Sequence, residues 1–88
     1  MKQFRFAFLI MSADHDSSRD RRLIETPQCK SVIIGVKDLE DACIQAKKLV
    51  DDNEVDKIEL CGAFQDKGAK VITDYIENRV PVSYVVNL

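Results

Sequence analysis

Short apolar, strand-like runs alternate with two amphipathic helical segments along the chain, and this alternation limits the possible folds more than any other feature. Strands joined by helices of about 10–15 residues are typical of parallel βαβ units with right-handed crossovers. The sequence therefore predicts an α/β fold in one domain, residues 1–88. The expected sheet is small, mostly parallel and four-stranded, with strand order 2-1-3-4, a shortened flavodoxin-like arrangement. The predicted strands are Gln3–Met11, Ser31–Val36, Lys57–Cys61 and Val80–Val86.

Two helices are predicted between the later strands. Asp38 is a suitable N-cap for the first, because its carboxylate can accept a free backbone N–H, and acids follow in the first turn. The second is expected to begin near Asp66. Spacings of three and four residues define one apolar stripe on each helix. The first stripe comprises Leu39, Ala42, Cys43, Ala46, Leu49 and Val50, and the second comprises Ala69, Val71, Ile72, Tyr75 and Ile76.

Both helices are expected to cover the same face of the sheet. We expect Phe4, Phe6 and Phe8 to share a face with Ile58 and Leu60, since alternate strand residues point to the same side. The opposite face would carry Arg5, Ala7, Leu9, Glu59, Cys61, Ser83 and Val85. A short helix at residues 18–24, ending before a proline, is its only predicted cover. An exposed face of this kind predicts self-association into a homo-oligomer, most simply a dimer.

Charge and cysteine content restrict the class of protein. Thirteen basic residues against fifteen acidic ones give a net charge of −2, without the basic excess typical of nucleic-acid binding. The longest apolar run, residues 6–11, is too short for a membrane span or a secretory signal. The three cysteines, Cys29, Cys43 and Cys61, do not form an even disulfide set. These features predict a cytoplasmic protein with no nucleic-acid or membrane partner.

The strand order also predicts where a ligand would bind. Ligands of open α/β sheets lie beyond the carboxyl ends of the strands, where the strand order reverses. Two loops, Ser12–Asp16 and Gly62–Asp66, would meet there. Free N–H groups at the start of the second helix would suit a small anion. The candidate ligand-binding residues are Ser12, Asp14, Gly62, Phe64 and Gln65, with Phe64 as an apolar wall.

Glu59 is the leading catalytic candidate, because a carboxylate within a buried strand must be paired, protonated or near solvent. A raised pKa would make it a general base, with Cys61 or His15 assisting, in a small enzyme of the isomerase or lyase type. The alternatives are a structural ion pair, with Arg5 as the natural partner, or an interface contact. Cys61 equally fits a small packing residue. A third hypothesis is a structural partner of another protein.

Three further patterns suggest a function and are weighed against an ordinary interpretation. Asp14, His15 and Asp16 form a tripeptide of metal-ligating types, although such residues also stabilise loops; neither a metal nor another cofactor is assigned. Gly62 and Gly68 are too far apart for a nucleotide-binding loop. The basic residues Arg19, Arg21 and Arg22 form either a locally paired, solvated segment or an anion clamp.

Several segments carry a family resemblance. They are Ile58-Glu59-Leu60-Cys61-Gly62-Ala63-Phe64, Gly68-Ala69, Val80-Pro81-Val82, Ile24–Pro27 and Val32–Val36. With these, the chain resembles a family of short microbial proteins, the domain of unknown function 6506 family. The resemblance implies a small α/β fold and no known activity. It also implies a glycine at the position of Gln65, where this chain departs from the pattern.

Overall fold

A mixed five-stranded sheet with two helices makes up the computed structural model, which describes residues 2–88. The elements are β1 (Phe4–Met11), β2 (Arg21–Glu25), β3 (Cys29–Val36), α1 (Leu39–Asp51), β4 (Lys57–Leu60), a 3-10 turn (Gly62–Phe64), α2 (Gln65–Tyr75) and β5 (Val82–Tyr84). The strand order is β2-β3-β1-β4-β5. All neighbours are parallel except β2 and β3. The predicted order of the four strands is confirmed, and an antiparallel edge strand is added to them.

The prediction of a short helix at residues 18–24 is wrong, because β2 forms there instead. The residues before it form turns in which Asp16 accepts hydrogen bonds from the N–H and hydroxyl of Ser18. Such local bonds compete with helix formation. After β2, the Thr26 N–H donates to the Cys29 carbonyl across a tight turn containing Pro27. β2 thereby supplies hydrogen-bond partners for the backbone groups on the outer edge of β3, which would otherwise lack them.

The core lies between one face of the sheet and both helices. The Asp38 side chain caps α1 as predicted, accepting from the Asp41 N–H at 2.8 Å. The α1 stripe is buried or packed against the core along its length. On α2, however, Val71 and Tyr75 are exposed, so the predicted inner face of that helix is narrower than expected. The buried strand residues are Ala7, Leu9, Ile34, Val36, Ile58 and Leu60.

The two faces of β1 are reversed relative to the prediction. Ala7 pairs with Ile58 and Leu9 with Leu60, and all four side chains are fully buried beneath the helices. Phe4, Phe6 and Phe8 lie on the opposite face with Lys57 and Glu59, where no helix within residues 2–88 covers them. Both faces of β1 are apolar, so the alternation of residues along the strand does not show which face the helices cover. We call the uncovered side the open face.

The remaining boundaries differ from the prediction by a few residues. The largest change is in β5, which is restricted to Val82–Tyr84, although the Val85 N–H still donates to the Leu60 carbonyl. Residues 2–88 contain no helix that combines the length and the apolar character needed to cross a bilayer.

Candidate functional site

Two separate clefts lie near the carboxyl ends of the strands, in place of the single predicted pocket. The first, the His15 cleft, encloses about 420 Å³ and is lined by Ile10, Asp14, His15, Arg19, Asp20, Arg22, Ile33 and Gly35. The second, the Tyr84 cleft, encloses about 480 Å³ and is lined by Gly62, Gln65, Asp66, Tyr84, Val85, Val86 and Asn87. The predicted ligand-binding residues are therefore divided between the clefts, with Asp14 in one and Gly62 and Gln65 in the other.

The loop that follows β1 folds over the open face and forms one wall of the His15 cleft. Ser12 donates its hydroxyl to Asp14 at 2.7 Å. The Asp20 carboxylate accepts from the Asp16 N–H at 2.8 Å, closing the turn. Short polar side chains that bond to nearby backbone favour turns of this kind. The loop therefore turns toward β3 and away from the loop that follows β4.

His15 lies directly on Gly35, and this contact explains the glycine within β3. A Cβ added to Gly35 would lie 2.9 Å from His15 Cγ and 3.1 Å from Asp20 Cβ. The His15 Nδ1 is 3.3 Å from the Ile10 carbonyl oxygen. We did not identify Gly35 as a site residue from the sequence. The available signal was a single glycine in an otherwise apolar strand, which often marks a close approach.

The three arginines of the basic cluster have different partners. Arg19 forms an ion pair with Asp20 at 2.9 Å, and this guanidinium holds the pKa of the Asp20 carboxyl well below its usual range. Arg21 donates to the Ser17 carbonyl and to the Gln45 side chain. Arg22 donates only to the Arg21 carbonyl, at 2.8 Å. Among residues 2–88, Arg22 is thus the cluster's one guanidinium without a carboxylate or side-chain partner.

The Tyr84 cleft is poorly suited to an anion. It contains no basic side chain, and Asp66 supplies a negative charge. The Asp66 carboxylate accepts a hydrogen bond from the Lys67 N–H at 3.0 Å, so a negatively charged group already lies at the start of α2. Gln65 has φ 59° and ψ −176°, a backbone conformation adopted almost only by glycine. This conformation agrees with the glycine that the family resemblance implies there.

Phe64 is not an apolar wall for a ligand. It is only 4% exposed and packs inside the core, where a Cβ added to Gly68 would lie 3.0 Å from Phe64 Cβ. Gly68 therefore allows α2 to pack closely against Phe64 in the interior, and it does not form part of a binding loop.

Glu59 does not have the raised pKa that was predicted for a general base. It forms an ion pair with Lys57 at 2.6 Å, and this contact lowers the pKa of the Glu59 carboxyl rather than raising it. The predicted structural partner, Arg5, instead pairs with Asp56 at 2.9 Å. Glu59 is thus an ionised carboxylate on the open face, beside the exposed Phe4 and the half-buried Phe6 and Phe8.

The other two catalytic candidates lie apart from Glu59. Cys61 accepts a hydrogen bond from the Met11 N–H through its sulfur at 3.4 Å, whereas His15 lies over Gly35 in its own cleft. The cysteines are free thiols, and burial raises the pKa of Cys43. Within the described residues 2–88, no three His, Cys, Asp or Glu side chains are grouped to hold a metal ion. Asp14, His15 and Asp16 therefore do not form the metal site considered from the sequence.

The fold and its clefts define a two-layer α/β protein, with both helices on one face of a mixed sheet. The chain belongs to a family of unknown function (DUF6506), whose sequence profile matches residues 4–88. Searches of curated proteins and of solved structures return no match.

Gly35→Ala is expected to lower the free energy of unfolding by about 1–3 kcal/mol, the usual effect of overpacking. The added methyl group must displace the His15 ring and Asp20. Gly62→Ala is the matched control, because its Cβ meets nothing nearer than the Val85 carbonyl at 3.4 Å. Urea unfolding of both variants tests this expectation. Equal stability of the two variants would contradict the close approach at Gly35.

Proposed function

We propose that this chain is a homo-oligomeric module that binds a small anion with an apolar portion in the His15 cleft. The observation that carries the proposal is the position of Arg22, whose guanidinium lacks a carboxylate partner and lines a cleft with Ile10 and Ile33. A guanidinium binds carboxylate or phosphate groups through paired hydrogen bonds.

The other charges of the cleft leave Arg22 as the group best placed to bind an anion. Arg19 and Asp20 neutralise one another. Asp14 accepts a hydrogen bond from the Ser12 hydroxyl, which lowers the pKa of its carboxyl and keeps it ionised, so an anion would bind at Arg22 and away from this carboxylate. Ile10 and Ile33 offer an apolar surface beside Arg22. A short aliphatic carboxylate combines the charge and the hydrocarbon that these side chains would contact.

The open face supports the oligomeric part of the proposal. It carries three phenylalanines, and Phe4 is 46% exposed although it stacks against Phe6. A chain of this length buries a small core, and association with a second copy is a common way to add buried surface. The enzyme hypothesis has less support, because the pKa of Glu59 is lowered by Lys57.

Butyrate, acetate and inorganic phosphate are suitable probes for the cleft. We expect butyrate to shift the NMR amide signals of His15 and Gly35 and to bind several-fold more tightly than acetate, because of its extra methylene groups. Arg22→Gln should weaken butyrate binding about tenfold or more, the effect of losing a charge-assisted hydrogen bond. Lys67→Gln on α2 removes the same charge away from the cleft and should leave binding unchanged.

Two results would contradict this ligand site. One is the absence of shifts at His15 and Gly35 with any of the three anions. The other is equal binding by the wild-type protein and Arg22→Gln. Tight phosphate binding without a preference for butyrate over acetate would reject the apolar portion of the ligand.

A further inference from the structure

The free edge of β2 is a self-complementary surface, and we propose that two copies of the chain pair antiparallel along it, centred on Leu23. This inference rests on the oligomeric part of the proposed function and not on the ligand. It names the partner as a second copy and the contact as residues 21–25.

The backbone geometry of β2 directs the polar groups of alternate residues toward its outer edge. The Gly35 N–H donates to the Asp20 carbonyl, and the Thr26 N–H donates to the Cys29 carbonyl. Residues of an antiparallel pair alternate between bonded and non-bonded positions. Arg22 and Ile24 therefore bond to β3, whereas the backbone groups of residues 21, 23 and 25 point away from the sheet. These three positions are symmetric about Leu23. The Arg21 N–H donates to the Arg19 carbonyl and the Arg21 carbonyl accepts from the Arg22 guanidinium, so pairing at this position exchanges two local bonds for bonds between the strands.

The side chains of β2 have the same symmetry. In an antiparallel pair centred on Leu23, Arg21 lies opposite Glu25 of the partner subunit, and the reverse contact forms on the other side of the axis. The two Leu23 side chains meet between these ion pairs. Directly opposed residues approach to about 5 Å, close enough for opposite charges to attract. On the opposite face of the sheet, Arg22 lies across from the partner subunit's Ile24.

The exposure of β2 is consistent with an edge that could accept a further strand. Every residue of the strand is exposed, including Leu23 at 56% and Ile24 at 60%. Edge strands are commonly protected from pairing by charge. Here the charges have opposite signs at the ends of the strand, so they favour antiparallel pairing of identical strands instead of preventing it. The product would be a continuous ten-stranded sheet.

The pairing also brings the two His15 clefts toward a common axis. Arg22 lines the cleft and lies in β2. A two-fold axis perpendicular to the sheet keeps both open faces on one side of the dimer. Each Arg22 then lies next to the interface, with the partner subunit's Ile24 extending the apolar surface near the cleft.

Charge reversal tests this interface directly. Arg21→Glu places acids opposite acids, and Glu25→Arg places bases opposite bases. Each variant alone should therefore dimerise at least about tenfold more weakly than the wild type. A mixture of the two restores both ion pairs and should form a heterodimer, as the double variant Arg21→Glu/Glu25→Arg should form a homodimer. Lys67→Glu, which makes the same charge change on α2, should dimerise like the wild type.

Sedimentation velocity up to millimolar protein, with circular dichroism to confirm folding, measures these effects. Dimer recovery on mixing supports the interface and cannot arise from misfolded single variants. A wild-type dimer that both reversals leave intact overturns the β2 interface while the oligomeric proposal stands, with the open face as the contact. A wild-type protein that remains monomeric overturns both. The butyrate titration tests the ligand site independently.

Discussion

Replacing Phe64 with alanine is expected to lower the free energy of unfolding by about 3–5 kcal/mol, one of the largest effects of any single substitution in this chain. The ring is 4% exposed and belongs to the same core cluster as Leu60 and Ala69. Its removal leaves a cavity. Because Phe64 and Gly68 are already in close contact, the surrounding chain can move only a little to fill that cavity. A domain of this length has a total stability of about 4–13 kcal/mol, so this loss is a large fraction of the total.

Phe4→Ala is the matched control, since it removes the same ring from the open face, where Phe4 is 46% exposed. We expect a loss below about 1 kcal/mol, mainly from its stacking with Phe6. Urea unfolding of both variants measures the difference. If Phe64→Ala does not fold, Phe64→Leu provides a milder version of the same test. Equal losses at the two positions would show that the faces of β1 are assigned incorrectly.

Asp56→Asn is expected to destabilise the protein by about 2 kcal/mol at neutral pH, because hydrogen bonds to charged groups contribute about that much. The Asp56 carboxylate accepts from the Arg5 N–H at 2.9 Å and from its guanidinium at 2.9 Å. These contacts join the beginning of β4 to β1. Asp74→Asn is the control, because its ion pair with Lys70 is largely exposed and should contribute little.

The contact between Arg5 and Asp56 also predicts how the free energy of unfolding depends on pH. Hydrogen bonds from Arg5 lower the pKa of Asp56 from 3.8 to about 2 in the folded chain. A carboxyl with a lowered folded pKa stabilises the protein above its unfolded pKa and loses that contribution as the pH falls through the folded value. The stability difference between the wild type and Asp56→Asn should therefore shrink from about pH 4 to about pH 2. A difference that stays constant over this range would contradict the prediction.

Part of the candidate site was predictable from residue types. Asp14 and His15 were identified by their chemistry, and both line the His15 cleft. Arg22 was recognised only within a basic cluster, because the sequence does not show that Asp20 pairs with Arg19. Gly35 and the two isoleucines were missed, since their roles depend on a loop crossing β3. Phe64 was predicted to be the apolar wall of a ligand pocket, although a turn after β4 directs it into the core.

Local patterns in the sequence determined the α/β class, the extent and N-cap of α1, and the order of the four parallel strands. The fold class and the helix depend on residues close together in the chain, where helical and strand periodicities are visible, and the strand order then follows from the crossover rule for that class. The tertiary structure decided which side of β1 faces the helices, because Phe4 and Leu9 are both apolar and only pairing with β4 distinguishes them. It also decided that residues 21–25 form a strand, since the free edge of β3 supplies their hydrogen-bond partners. The register between strands and the hydrogen bonding of a strand edge both depend on residues far apart in the chain. For that reason they become visible only in the assembled sheet.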